Sequence, residues 1–81
     1  MEKERIKLKV KDYIFQNAGE EVGDAIDIFE QRAVNSLFAI ALMSFIEKEF
    51  KVKFTMEDMH WDRLRSVEAI ADFVLRKRRE G

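Results

Sequence analysis

The chain of 81 residues contains no cysteine, no proline and only three glycines. Without cysteine it can form neither a disulfide bond nor a thiolate metal site. A chain this short buries little more than about 60% of its unfolded surface, which limits it to one domain with an efficient core. Stability must therefore come from helix-on-helix packing, and a hydrophobic content of 47% is enough to attempt it.

The sequence also lacks a long apolar segment. Its longest apolar run, Leu37 to Met43, is far shorter than the roughly 20 residues that a helix needs to cross a bilayer. No basic start followed by an apolar stretch and a small-residue cleavage site signals export. We therefore expect a soluble protein of the cytoplasm, and nothing in the sequence demands more than a monomer.

Charge is nearly balanced, with a net value of −1, but it is unevenly distributed. Residues 20–30 hold five carboxylates and no cation, whereas both ends of the chain are basic. The acidic residues lack the ordered spacing of a calcium loop, so we predict solvated charge there and no metal site. The basic ends are predicted to be a solvated helix face and a helix C-terminus, because neither is interleaved with the aromatic residues that stack on nucleic-acid bases.

The first segment has two readings. The stretch RIKLKVKD alternates between apolar and charged residues, which is typical of a strand. Helical spacing instead puts one set on a single face (Ile6, Val10, Tyr13 and Ile14) and another on the opposite face (Lys3, Lys7 and Lys11). No later segment offers a partner strand, and a lone strand cannot satisfy its backbone. We predict a helix from about residue 2 to residue 17, followed by a long loop over residues 18–34 that contains Gly19 and Gly23.

A second helix is predicted from Asn35 or Ser36 to about Lys51. Its buried stripe follows helical spacing: Ala39, Leu42, Met43, Ile46 and Phe50. Thr55 and Asp58 resemble a capping box, which predicts a short helix over residues 56–61. Ser66 is predicted to cap a last helix, with Glu68 in its first turn. The apolar face of that helix is predicted to comprise Val67, Ile70, Ala71, Val74 and Leu75, with Phe73 at its edge.

These elements predict an all-α fold: a small bundle of three main helices plus one short helix, with a long loop after the first helix. The four methionines, Met43 among them, are interpreted as core filler. Ser36 has two readings in this fold. Asn35 or Ser36 is an ordinary N-cap, or else the start of the helix presents free N–H groups and a partial positive charge to a phosphodiester on the serine.

The pattern as a whole resembles the acyl carrier protein family. The residues that carry the resemblance are Asn35-Ser36-Leu37, which match the Asp-Ser-Leu motif of that family, together with DIFE before the motif, IEKEF at the end of the second helix and RSVEAIADFV in the last helix. The resemblance covers nearly the whole chain and implies a single carrier domain over residues 1–81. It also implies that Ser36 carries a covalent 4′-phosphopantetheine arm, flanked by Asn35 and Leu37.

The resemblance implies a protein that is not an enzyme and that holds an acyl, aminoacyl or glyceryl unit as a thioester. Its implied partners are a phosphopantetheinyl transferase, an acyl- or aminoacyl-loading enzyme, and downstream synthase or tailoring enzymes. The version Asn-Ser-Leu-Phe-Ala is similar to freestanding carriers of unusual polyketide extender units, of methoxymalonyl, aminomalonyl or glyceryl type. The departure is Asn35 in place of aspartate, which removes a negative charge beside the phosphodiester and bears on recognition by the transferase.

Partner contacts are predicted on the outward positions of the second helix: Leu37, Phe38, Ala41, Ser44, Phe45 and Lys48. This surface is apolar where acyl carriers generally have acidic residues, and exposed apolar patches usually mark interaction sites. We predict that Phe38 and Phe45 anchor partner enzymes by burial. The alternative is that Phe45 packs under the long loop or against the third helix.

Two other classes of function remain as alternatives. A small helical protein- or DNA-binding module fits the basic ends, but the second helix offers little beyond Lys48 for reading DNA. A hydrolase would use Ser36 as nucleophile, His60 as base and Asp62 as orienting residue, but no nucleophile elbow or oxyanion hole can be identified. His60 and Trp61 are more simply a packing pair, with Trp61 covering an edge of the core.

Overall fold

The computed structural model describes residues 2–19, 21–28, 36–58 and 64–80. The first helix, α1, runs from Glu2 to Ala18, as predicted within one residue. Its buried apolar side chains lie on one face: Ile6, Val10 and Ile14. Gly19 ends the helix with a φ of 72°, and its N–H donates to the Phe15 carbonyl at 3.0 Å. This left-handed C-cap suits glycine, which has no Cβ to clash there.

The second helix, α2, runs from Ser36 to Phe50 and confirms the predicted helix after the loop. Four members of the predicted stripe are buried (Ala39, Leu42, Ile46 and Phe50), and Met43 packs partly buried against them. The backbone then turns at Lys51, whose φ of 57° ends the helix. Residues 21–28 lie in the predicted loop, and the rest of that loop, residues 29–34, lies outside the described residues.

A short 3-10 helix, Met56–Asp58, occupies the start of the predicted third segment; residues 59–61 of that prediction lie outside the described residues. The predicted pairing of Thr55 with Asp58 is confirmed, with the Asp58 carboxylate reaching back to the Thr55 N–H. The N–H and Oγ1 of Thr55 donate to Asp58 Oδ2 at 2.9 and 2.8 Å, and the Asp58 N–H donates to the Thr55 carbonyl at 3.0 Å. Side-chain and backbone groups thus satisfy each other at this helix start.

The last helix, α3, runs from Val67 to Glu80. Ser66 caps it as predicted, because its Oγ accepts the Ala69 N–H at 3.1 Å. Its predicted apolar face is confirmed: Val67, Ile70, Ala71 and Val74 are buried and Leu75 is partly buried. α3 packs against α1, and residues from α2, the loop and the segment after α2 complete one core.

The sequence analysis placed Phe73 at the edge of the apolar face of α3. That prediction is wrong. Phe73 is 2% exposed, because Phe54 stacks on its ring with centroids 4.7 Å apart. Helical spacing could not reveal this, since the covering ring comes from a segment without regular structure. Met56 is also misassigned as core filler: it is 91% exposed on the 3-10 helix.

The basic side of α1 is not a solvated face either. Lys7 is only 8% exposed, and its Nζ lies 2.7 Å from Asp24 Oδ2 and 3.0 Å from Glu4 Oε2. Lys11 reaches the other oxygen of Asp24 at 2.6 Å. These bonds fasten the acidic loop to α1, so the prediction of solvated charge is wrong for Asp24 and for Lys7. No helix among the described residues is long and apolar enough to span a membrane.

Candidate functional site

Ser36 is the first residue of α2, a helix of 15 residues. The first turn of α2 contains no acidic residue, whereas α1 has Glu2 and Glu4 there and α3 has Glu68. A helix N-terminus carries free N–H groups and a partial positive charge that favour an anion. In α2, no carboxylate of the first turn competes for that charge, so the geometry fits a phosphodiester at Ser36.

The surface beside Ser36 is open and apolar. Leu37 is 78% exposed and Ile40, one turn below Ser36, is 64% exposed. Ala41, Ser44 and Lys48 are exposed on the same side of the helix. We define this outward surface of α2, Leu37, Ile40, Ala41, Ser44 and Lys48, as the α2 face. Sequence analysis missed Ile40, although the four-residue spacing from Ser44 places both on one side of a helix.

The two phenylalanines of α2 that were predicted to face outward, Phe38 and Phe45, are less exposed than the sequence analysis predicted. Phe38 is partly buried, with its ring centroid 6.0 Å from that of Tyr13. Phe45 is partly buried too: it stacks on Tyr13 at 4.3 Å and meets Phe50 edge-on at 6.1 Å. Contrary to the prediction, Phe45 is therefore not fully outward, and among the described residues its ring stacks on Tyr13 of α1. This packing leaves only part of each ring for a partner protein.

Asp24 has a structural role in the loop that precedes the site. The ammonium groups of Lys11 and Lys7 lower the pKa of Asp24 to about 2, and Asp24 with Glu4 in turn raises the pKa of Lys7. The carbonyl of Asp24 also accepts the Glu68 N–H at 3.0 Å, next to the start of α3. Asp24 thus joins the loop to two helices and is not available as a free negative charge.

A second carboxylate, Asp58, is held in the same way at the short 3-10 helix. It is 6% exposed, and Lys77 Nζ lies 2.9 Å from its Oδ2. The bond from Lys77, with further bonds from Thr55, lowers the pKa of Asp58 to about 2 although burial opposes the shift. Asp24 and Asp58 therefore stabilise the fold, and both lie on elements other than α2.

Several residues of the sequence hypotheses lie outside the described residues. They are Asn35, His60, Trp61 and Asp62. The DNA-binding alternative gains nothing from the α2 face, whose single cation is Lys48 and whose other members are apolar or small.

A small helical domain with a serine at the first residue of its second helix is compatible with one class of protein: carriers of a prosthetic group. Comparison with protein families supports this directly, because the model of the phosphopantetheine attachment site family matches residues 10–74. The chain belongs to that family. Comparison with curated proteins finds no match.

Membership of the family establishes the cofactor and the general role. Domains of this family carry a covalently attached 4′-phosphopantetheine and are carriers, not enzymes. When attached, the arm supplies a thiol that holds acyl groups as thioesters. Such carriers interact with a phosphopantetheinyl transferase and with enzymes that handle acyl groups. The residues of this chain supply the attachment point, the helix dipole and the surface that partners contact.

Proposed function

We propose that Ser36 is the attachment residue and that the chain acts as an acyl carrier protein. The observation that carries this proposal is the start of α2, where Ser36 opens a helix whose first turn has no acidic residue. The helix dipole there favours the phosphodiester and is not spent on a side-chain carboxylate. Leu37, directly after Ser36, is 78% exposed, so a transferase can approach this turn.

The other aliphatic hydroxyls of the chain are poorer candidates. Besides Ser36 the sequence contains only Ser44, Thr55 and Ser66. The hydroxyls of Thr55 and Ser66 are engaged in the helix caps described above. Ser44 lies within α2, where backbone N–H groups are already bonded along the helix and offer nothing to a phosphate. This elimination supports Ser36 without relying on the family motif.

Asn35 stands where relatives in the resemblance have aspartate, and we propose that it is part of the recognition surface for the transferase. Losing one negative charge beside a phosphodiester is worth on the order of 1 kcal/mol at partly exposed separations. The expected effect is a modest change in the rate of modification and not its loss. Asn35→Asp measures this effect, with the rate of phosphopantetheine transfer as the readout.

We propose that partner enzymes contact the α2 face together with the exposed part of Phe38. Leu37 and Ile40 are its main apolar members, and a contiguous apolar patch of this kind usually marks an interaction site. Because the α2 face contains no carboxylate, binding depends less on salt than binding through an acidic carrier surface. Phe45 contributes less than the sequence analysis predicted, since it stacks on Tyr13.

The cargo and pathway follow from the resemblance alone. We propose that the arm carries an acyl, aminoacyl or glyceryl unit, in polyketide or nonribosomal peptide-type biosynthesis. The sequence VNSLFA is similar to carriers of methoxymalonyl, aminomalonyl or glyceryl extender units, and this similarity supports the finer assignment. A loading enzyme and downstream synthase or tailoring enzymes complete the proposed set of partners, and the proposed setting is the cytoplasm.

The proposal is tested by incubating the protein with coenzyme A and a broad-specificity phosphopantetheinyl transferase and then weighing the intact protein. The serine oxygen forms a bond to the phosphorus of the pantetheine phosphate, adenosine bisphosphate leaves, and the hydroxyl proton is released. We expect a mass gain of one phosphopantetheinyl group in the wild type and none in Ser36→Ala. Modification of Ser36→Ala would refute the assignment, and Ser44→Ala, which should be modified normally, is the matched control.

A further inference from the structure

An open groove of about 800 Å³ lies at the end of α2 remote from Ser36. The end of α2 and the segment after it, residues 49–53, form one side together with Thr55, and Lys77 and Arg78 of α3 form the other. At about 1.5 Å per residue, the 15 residues of α2 separate this groove from Ser36 by roughly 20 Å. The groove is therefore distinct from the proposed carrier site and from the apolar start of the α2 face.

The groove is strongly basic although the whole chain has a net charge of −1. Four of its lining residues are cations: Lys51, Lys53, Lys77 and Arg78. Among the described residues of its lining, the one carboxylate is Glu49, which is already paired with Lys9 at 2.7 Å. A concave surface lined by positive charges attracts negative charge from solution and raises the association rate of an anionic partner.

The cations of the groove divide into two kinds. Lys77 and Arg78 are fixed by ion pairs within the fold, to Asp58 at 2.9 Å and to Glu2 at 2.6 Å. Lys51 and Lys53 are exposed, and among the described residues neither has an ion-pair partner. The groove is thus lined by two cations that form ion pairs within the fold and by two, Lys51 and Lys53, for which the described residues provide no ion pair.

The backbone at Lys51 is a second observation. Its φ of 57° is the only positive value at a non-glycine residue among those described. A helix that ends in this conformation usually has glycine there, because a Cβ is unfavourable in the left-handed region. The chain therefore has a lysine at a position where glycine would be more stable. Backbone strain of this kind is often retained for function.

We propose that this groove is a second docking surface and that it binds an acidic segment of a partner protein. Its volume far exceeds that of a single phosphate and is in the range of pockets that enclose larger ligands. Met56 does not line the groove, but it follows the lining residue Thr55 in the chain and is 91% exposed, so it is accessible to a ligand that extends beyond the groove. Cations with one adjacent apolar contact suit an acidic peptide that contains an apolar residue.

The composition of the groove disfavours the other polyanions. Single-stranded nucleic acid needs exposed aromatic side chains for base stacking, but Phe50, the aromatic residue in the lining, is only 4% exposed. A membrane surface needs a broad apolar face to insert, and Val52, the aliphatic residue of the lining, is 6% exposed. Electrostatic attraction must therefore dominate recognition, as in binding of an acidic peptide.

The test measures the Kd between the full chain and a short fluorescein-labelled peptide that is rich in glutamate and contains one leucine. Binding is monitored by fluorescence anisotropy at low ionic strength. A peptide with glutamine in place of each glutamate is the control ligand. We expect Lys51→Gly and Lys53→Gln each to weaken binding of the acidic peptide by roughly fivefold, the value of one close charge contact in water. Lys51→Gly also separates binding from folding, because its Tm should equal or exceed that of the wild type.

Arg5→Gln is the matched control variant. Arg5 is exposed on α1, has no ion-pair partner among the described residues and does not line the groove; its substitution removes the same charge and should leave Kd unchanged. Equal weakening by Arg5→Gln would indicate attraction to net charge and would overturn the proposal, as would failure of the acidic peptide to bind or equal binding of the glutamine peptide. Ser36→Ala should bind normally, which keeps this test independent of the carrier assignment.

Discussion

Two helices of this protein begin near a serine, and the two starts are built differently. At α3, Ser66 precedes the helix and its Oγ accepts the Ala69 N–H at 3.1 Å. The second residue of α3, Glu68, adds a carboxylate that is paired with Lys3 at 3.2 Å. At α2, Ser36 is itself the first residue, and the second residue is Leu37, 78% exposed and uncharged.

The difference shows how one residue type serves two purposes. The start of α3 is closed by its own side chains, so its hydroxyl and its dipole are both used by the fold. The Thr55–Asp58 capping box closes the 3-10 helix in the same way. The first turn of α2 has no acidic residue and carries exposed apolar side chains, an arrangement that fits the proposed phosphodiester and the proposed partner contacts.

The largest effect on stability is expected from Asp58→Ala, which removes the side-chain bonds at the start of the 3-10 helix. The change removes two bonds from Thr55 and the carboxylate oxygen that Lys77 Nζ contacts at 2.9 Å. We expect a loss of about 2–3 kcal/mol in the free energy of unfolding, measured by chemical denaturation. Asp12→Ala is the control: Asp12 is exposed and has no ion pair among the described residues, so its variant should lie within about 0.5 kcal/mol of wild type.

Low pH is expected to reduce the stabilisation that Asp58 provides at the 3-10 helix. The pKa of Asp58 is lowered from 3.8 to about 2 in the folded protein, so its contribution is complete above about pH 4 and is lost as the pH falls towards 2. For Asp58 alone the loss is roughly 2 kcal/mol. Asp24, whose pKa is also about 2, acts in the same direction.

Denaturation at a series of pH values between 5 and 2 checks this prediction. The variant Asp58→Asn cannot titrate at that position and should show a shallower fall in stability with acid. A fall equally steep in wild type and variant would show that other carboxylates govern acid unfolding.

The open start of α2 can be converted into a closed one with Leu37→Glu, which gives α2 the same second residue as α3. The new carboxylate lies where Glu68 lies in α3, so helix stability should stay equal or rise by about 0.3–1 kcal/mol. Repulsion of the phosphodiester and loss of an apolar contact should lower the rate of phosphopantetheine transfer by roughly tenfold. Leu8→Glu, at a leucine 67% exposed on α1, controls for added charge and should not change the rate.

The smallest effect is expected from removing the cap of α3 with Ser66→Ala. Loss of the bond to the Ala69 N–H should cost about 1 kcal/mol in stability. The variant should nevertheless accept phosphopantetheine at the wild-type rate, because its hydroxyl serves only the fold. If Ser66→Ala folds as stably as wild type, the contrast between the two serines is wrong.

Helical spacing in the sequence was sufficient to predict much of this fold. It placed α1 and α2 within a residue or two and the start of α3 directly after Ser66, and the caps at Thr55 and Ser66 followed from local chemistry between residues three apart. These features depend on neighbours in the chain, which a single sequence displays directly. The serine at the start of α2 was evident for the same reason.

The errors concern contacts between residues distant in the chain. Lys7 was placed on a solvated face, but a long lysine stem can lie along the core while its ammonium reaches Asp24. Phe73 and Phe45 were misplaced because Phe54 and Tyr13, which cover them, come from other segments. Periodicity identifies the side of a helix that faces inward, but it does not identify the residues that cover its margins.

The most direct test of the central claim is to locate the modification within the chain. The protein is treated with coenzyme A and the transferase, digested, and sequenced by tandem mass spectrometry. We expect the phosphopantetheinyl group on the peptide that contains Ser36 and on that residue alone. Finding the group on Ser44, Thr55 or Ser66, or finding no modification of a folded protein, would contradict the account.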